Sequence, residues 1–127
     1  MHKWLLVGLG GGLGAVARYW LSGLVQEWLR NASFPYGTLV VNVAGCFIIG
    51  ALAYLSEARG LLTAETRLLL ITGFLGGFTT FSTFGNETLA LARGGELGPA
   101  LGNVAAHVGM GLSAVWAGWA LGQLIWR

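Results

Sequence analysis

GFLGGFTTFSTF, residues 73–84, sits in the middle of an apolar segment and yet makes a poor continuous helix. Gly73, Gly76 and Gly77 each weaken a helix by roughly 1 kcal/mol relative to Ala, and Thr79 and Thr80 add stiff β-branched side chains. In lipid, non-helical backbone is tolerated only where it is buried in protein or lines a cavity. The stretch therefore predicts a helix broken at mid-membrane, with the break turned away from lipid.

The rest of the chain agrees with that setting. Its 127 residues are 55% hydrophobic and only 9% charged, with a mean hydropathy of +0.70; a soluble domain carries about 25% charged residues. The acidic residues are five Glu, and the net charge of +2 is spread over basic residues that never cluster, which argues against nucleic acid as a partner. Cys46 stands alone inside an apolar run, so neither a disulfide framework nor a metal-ligand pattern arises, and the thiol reads as a small hydrophobe. At about 20 residues per crossing, a single domain of this length spans a bilayer four times with little left over for soluble chemistry.

Working outward, the expected spans are 4–24, 36–55, 68–92 and 99–126. His2 and Lys3 before an apolar run, with Ala15-Val16-Ala17, imitate a signal peptide, but Arg18 and Tyr19 follow directly and the run is glycine-rich, so the segment reads as a retained span. Gly8/Gly12 and Gly10/Gly14 are two Gly-x-x-x-Gly spacings, which let helix backbones approach closely in lipid. Residues 25–35 read as a short amphipathic connection, with Trp28 and Phe34 for the interface and Glu27 and Arg30 for water. Pro35 precedes the second span, and Thr63 is a candidate N-cap with Glu65 in the first turn behind it.

Orientation is weakly encoded. Four crossings put Lys3, Arg59, Arg67 and Arg127 on one side against Arg30 and Arg93 on the other, with Arg18 inside the first span. So small a bias permits insertion both ways, and thus an antiparallel homodimer; a single orientation with a modest bias fits the same count.

No enzyme constellation emerges. The five Glu are scattered, His2 and His107 lack metal-ligand spacing, and Gly10–Gly14 has no strand before it to make a phosphate loop. What remains is a polar thread through apolar segments: Thr38 and Asn42, then Thr79, Thr80, Ser82 and Thr83, then Asn103 and His107. Thr38/Asn42 and Asn103/His107 are each i,i+4, so each pair shares a helix face; interhelical hydrogen bonding and pore lining both account for them. Mostly neutral donors suit a small anion better than a cation. Phe81 and Phe84 are i,i+3 and project from one face, where they either pack in a core or present the positive edges of their rings to an anion.

GGGLGAVARY (10–19), GTLVVNVAGCFIIG (37–50) and GFLGGFTTFSTF (73–84) together resemble the Fluc, or CrcB, family of fluoride channels, in order and with matching spacing. The resemblance implies an all-α membrane protein of four transmembrane helices, the third broken mid-membrane, assembled as an antiparallel, dual-topology homodimer. It implies two pores per dimer that passively export fluoride across the cytoplasmic (inner) membrane. By the same resemblance Phe81 and Phe84 face the pore, Asn42 donates into it, and Thr38 matches a pore position; Thr80 and Ser82, from the polar thread, are expected to line it too. Asn103 and His107 join them by segment and spacing, and Arg18 stands at a vestibule. Gly76 and Thr79 would hold a structural Na⁺ on the dimer axis through backbone carbonyls. Glu87 follows the motif without an assigned role, and Gly85 stands where a hydroxyl is expected after the second Phe.

Two other classes share parts of this pattern. A small drug/proton antiporter also has four short spans and dual topology, but needs a membrane-embedded carboxylate, and Glu87 lies near a segment end. An assembly subunit would transport nothing when purified alone.

Overall fold

The computed structural model describes residues 2–30 and 32–127, and it is helical almost throughout, with no strand among the described residues. Five helices follow one another: α1 (Lys3–Trp28), α2 (Tyr36–Ala58), α3 (residues 64–78), α4 (Phe81–Arg93) and α5 (Leu97–Ile125). By length and composition, three stretches among the described residues can cross a membrane: Tyr36–Ala58, Ala64–Arg93 (α3 and α4 together) and Leu97–Ile125. This is a multi-pass membrane protein. α1 has the length, at 26 residues, but Lys3, Arg18 and six glycines dilute its hydropathy.

The expected boundaries shift at both ends. α1 runs on to Trp28 through what reads as a connection, and α5 begins at Leu97, so Pro99 falls in the first turn, where its missing N–H costs nothing. Pro35 occupies the N-cap of α2 rather than its first helical position. Thr63 does cap α3: its Oγ1 accepts the Thr66 N–H at 3.1 Å. α2 and α3 each contain wider, π-type turns, at Tyr54–Ala58 and Leu68–Leu75.

The break falls inside 73–84, but the glycines do not make it. Gly73, Gly76 and Gly77 all remain helical, and the chain becomes extended only at Thr79 (φ −86°, ψ 157°) and Thr80 (φ −150°, ψ 117°). What two of those glycines provide is contact. A Cβ on Gly77 would collide with the Gly11 carbonyl of α1, and one on Gly73 would meet the Val7 carbonyl oxygen at 3.0 Å. From the other side, Gly10 and Gly14 of α1 leave room only for the backbone carbonyls of Leu69 and Phe74. Of the two Gly-x-x-x-Gly pairs in α1, Gly10/Gly14 makes the α1–α3 contact, while Gly8 and Gly12 face open space within the chain. Gly50 and Gly118 bring α2 and α5 together in the same way, each against a carbonyl of the other helix.

Beneath these contacts the apolar core is small: Val41, Leu75 and Phe78 are buried together, with Ala17, Leu21 and Phe74 packed around them. Most large apolar side chains point outward, as lipid-facing helices require. Interlocked backbones, more than a broad core, fix α3 against α1, and so fix where α3 stops.

Candidate functional site at the helix break

The break is built by side chains from three helices. Thr79 closes α3: its N–H and its hydroxyl both donate to the Leu75 carbonyl, at 3.0 and 2.9 Å. Thr80 opens α4 as its N-cap, accepting the Thr83 N–H at 3.2 Å, with the hydroxyls of Thr83 and Ser82 beside it at 3.1 and 3.3 Å. Two extended threonines in a row suit β-branched side chains, and the cap satisfies one of the orphan donors of the new helix. Replacing Thr80 by Val keeps the shape and removes the cap. We expect it to lower stability by about 1 kcal/mol, as read by detergent-unfolding titration of the purified chain.

Asn42 of α2 reaches across to the gap between the helices. Its Oδ1 accepts the Thr80 N–H at 2.8 Å and its Nδ2 donates to the Thr80 carbonyl at 3.0 Å. The primary amide thus bonds Thr80 as a neighbouring backbone would. The other Nδ2 hydrogen faces His107 Nε2 at 3.1 Å, and His107 Nδ1 lies 3.0 Å from the Asn103 carbonyl oxygen. Asn42 is therefore at the site, as the sequence suggests, but in this arrangement both its oxygen and its nitrogen are engaged by the protein.

Phe81 and Phe84 leave the first turn of α4 together, their rings 5.4 Å apart between centroids and tilted by 56°. Phe84 lies against the His107 ring at 4.2 Å. Phe81 is 83% exposed in the single chain, which excludes core packing within that chain as its role. Both rings, Asn42, Thr80 and His107 line one cavity of about 480 Å³, which Gly76, Thr79 and Cys46 line as well. α4 begins at this cavity, so the partial positive charge of its N-terminus falls there too.

The break also frees carbonyls. The Thr80 N–H would close the last helical turn on Gly76, but Asn42 takes it instead. Arg18 of α1 takes another carbonyl, donating from Nε to the Gly77 oxygen at 3.0 Å. Placed there, the guanidinium sits at the negative end of α3 and offsets its dipole. The space beside Gly76 is open, and among the described residues no group of three or more His, Cys, Asp or Glu gathers to hold a metal. Neutral carbonyl oxygens such as those of Gly76 and Thr79 are ligands of the kind a hard cation takes.

The remaining members of the polar thread lie apart. Thr38 shares a helix face with Asn42 but bonds a different partner, donating to Glu87 Oε1 at 2.8 Å. That pair lines a second cavity of about 490 Å³ between α1 and α2, with Tyr19, Trp20, Gln26 and Glu27. The other oxygen of Glu87 is buried without a partner among the described residues. Asn103 is fully buried and donates to the Thr88 hydroxyl at 2.9 Å, which in turn donates to the Phe84 carbonyl at 2.7 Å. Sequence reasoning left Glu87 without a role and missed Thr88. The signal for Thr88 was its i,i+4 spacing from Phe84, which places its hydroxyl over the Phe84 carbonyl.

Residues 5–119 match the family described as CrcB-like protein, Camphor Resistance (CrcB). Among its relatives, the chain is 45% identical to the fluoride-specific ion channel FluC of Methylobacillus flagellatus, over 95% of this chain and 94% of that one. It is 51% identical to FluC of Opitutus terrae, over 93% and 90% of the two chains. To FluC of Thermus thermophilus it is 49% identical, over 96% of each.

Proposed function

The chain belongs to the CrcB-like family, and from that membership we propose that it is a fluoride-specific ion channel of the cytoplasmic membrane and not an enzyme. The observation that carries the reading is the break itself. In a chain about half identical, along nearly its whole length, to proteins named fluoride-specific channels, it gathers two phenyl rings, a helix N-terminus and neutral amide and hydroxyl groups at one cavity.

Fluoride is small and strongly hydrated, so a selective path must replace its water with positive groups while staying too narrow for larger anions. Ring edges at Phe81 and Phe84, the hydroxyls of Thr80 and Ser82, and the positive end of α4 supply such groups. His107 stands behind Asn42 at the same cavity, Asn103 ties Thr88 over the Phe84 carbonyl, and Thr38 carries the polar face of α2 on toward the second cavity. Arg18 adds a positive field near its mouth. Transport is passive and, in a cell accumulating fluoride, runs outward.

The channel is an antiparallel homodimer of four-crossing subunits with two pores. The small Lys/Arg bias supports both insertions, and the outward ring of Phe81 supports a second copy completing the wall. At the twofold axis the carbonyls of Gly76 and Thr79 from both copies would hold a Na⁺, which supplies fixed positive charge to join the two breaks.

Phe81→Ile keeps the bulk and removes the ring edge. Fluoride efflux from liposomes, followed with a fluoride electrode, should fall about tenfold, the scale of one lost aromatic contact. A folded Phe81→Ile variant with wild-type efflux would remove Phe81 from the path.

A further inference from the structure

We propose that His107 is a positioning residue. In its neutral form, with the proton on Nδ1, it fixes the Asn42 amide that clasps Thr80, and so sets the break that aims Phe81 and Phe84. The proposal deepens the channel reading above and rests on it only for its transport measurement.

A backbone N–H can only donate and a backbone carbonyl can only accept. Thr80 presents both to Asn42, at 2.8 and 3.0 Å, so the amide has one possible orientation, with Oδ1 on the N–H and Nδ2 on the carbonyl. The second Nδ2 hydrogen then meets His107 Nε2 at 3.1 Å, and that nitrogen must offer its lone pair. The ring proton is left on Nδ1, which faces another obligate acceptor, the Asn103 carbonyl, at 3.0 Å. One tautomer satisfies the whole chain of bonds. Neither Asn42 nor His107 keeps a spare N–H for an anion in this arrangement, so both act by placing Thr80.

The imidazolium is incompatible with the clasp. A proton on Nε2 would point at the Nδ2 hydrogens of Asn42. Turning the amide over to meet it would set Nδ2 against the Thr80 N–H and Oδ1 against the Thr80 carbonyl. Either way a contact becomes donor against donor, and Thr80 loses its hold. The titratable groups near His107 are few. From α4 comes Glu87, with one oxygen engaged by Thr38. From α2, Cys46 lines the same cavity, and α3 contributes Ile71, Leu75, Gly76 and Thr79, none of them ionisable. Arg18 of α1 is occupied at Gly77.

The decisive test is nitrogen-15 NMR of the full chain in lipid bilayers, labelled at histidine and carrying His2→Ala so that only His107 reports. At neutral pH Nδ1 should be protonated and Nε2 bare; an Nε2–H tautomer or an imidazolium overturns the proposal, whether or not the chain conducts. The Thr80 backbone amide resonance should move in His107→Phe and return toward its wild-type position in His107→Gln, whose carbonyl still accepts from Asn42. A Thr80 signal unmoved in His107→Phe overturns it too. Fluoride efflux should drop about tenfold in His107→Phe, the scale of one lost hydrogen bond, and recover in part in His107→Gln. If wild-type liposomes show no efflux, the channel reading fails while the NMR result still decides the role of His107.

Discussion

Asn42→Asp should reduce fluoride efflux to the leak of protein-free liposomes while the chain still folds. The carboxylate keeps the oxygen that accepts the Thr80 N–H and loses everything else. In place of Nδ2, an oxygen would face the Thr80 carbonyl at about the present 3.0 Å and the His107 Nε2 lone pair at about 3.1 Å. Three acceptors would then converge where one donor now serves two of them. A carboxylate at the centre of a membrane helix also costs about 2.5–3.5 kcal/mol on insertion scales. An anion passing about 4 Å away meets roughly 4 kcal/mol of repulsion at an effective dielectric near 20, which alone slows it about a thousandfold. The variant should elute with wild type on size exclusion and release fluoride no faster than empty vesicles. A well-folded Asp variant with wild-type rate and selectivity would show that Asn42 neither holds the break nor stands by the path.

Gly77→Val acts on the fold instead. Its Cβ would enter the Gly11 carbonyl of α1, and a backbone oxygen held in a 26-residue helix cannot step aside as a side-chain tip can. Overpacking of this kind costs typically 1–3 kcal/mol, and against backbone the upper figure, about 3 kcal/mol, is expected. That is a large part of the stability of a small domain, so the variant should aggregate on extraction or unfold at much lower denaturing-detergent fractions. Gly12→Ala is the matched control. Its Cβ meets nothing within 4 Å, and helix propensity favours Ala by roughly 1 kcal/mol. Equal stability of Gly77→Val and Gly12→Ala would mean that α1 and α3 do not meet as closely as described.

These two residues also show how far the sequence could be read. The quoted stretch announced a break, and a break is there. Its position, however, came from Thr79 and Thr80, while the glycines suspected of making it serve the α1–α3 contact. Propensity scales record what a residue costs in an isolated helix, so they cannot distinguish a glycine that ends a helix from one that lets another helix in. The i,i+4 rule was right that Thr38 and Asn42 share a face, yet blind to the rest. Over one turn that face passes from Glu87 of α4 to the backbone of Thr80, and the two side chains serve different cavities. His107 and Asn103 are linked as their spacing allows, but through the Asn103 backbone carbonyl, with the Asn103 side chain turned to Thr88. Partners far apart in sequence, such as Arg18 with Gly77, leave no local pattern to read.

The most direct test of the channel reading is fluoride release from liposomes that contain only this purified chain, loaded with potassium fluoride and opened to potassium by an ionophore, in parallel with chloride-loaded liposomes. Rapid release of fluoride, little release of chloride, and no need for a proton gradient are the predicted result. Release no faster than from protein-free liposomes, equal release of the two anions, or release only when a proton gradient is imposed would contradict it.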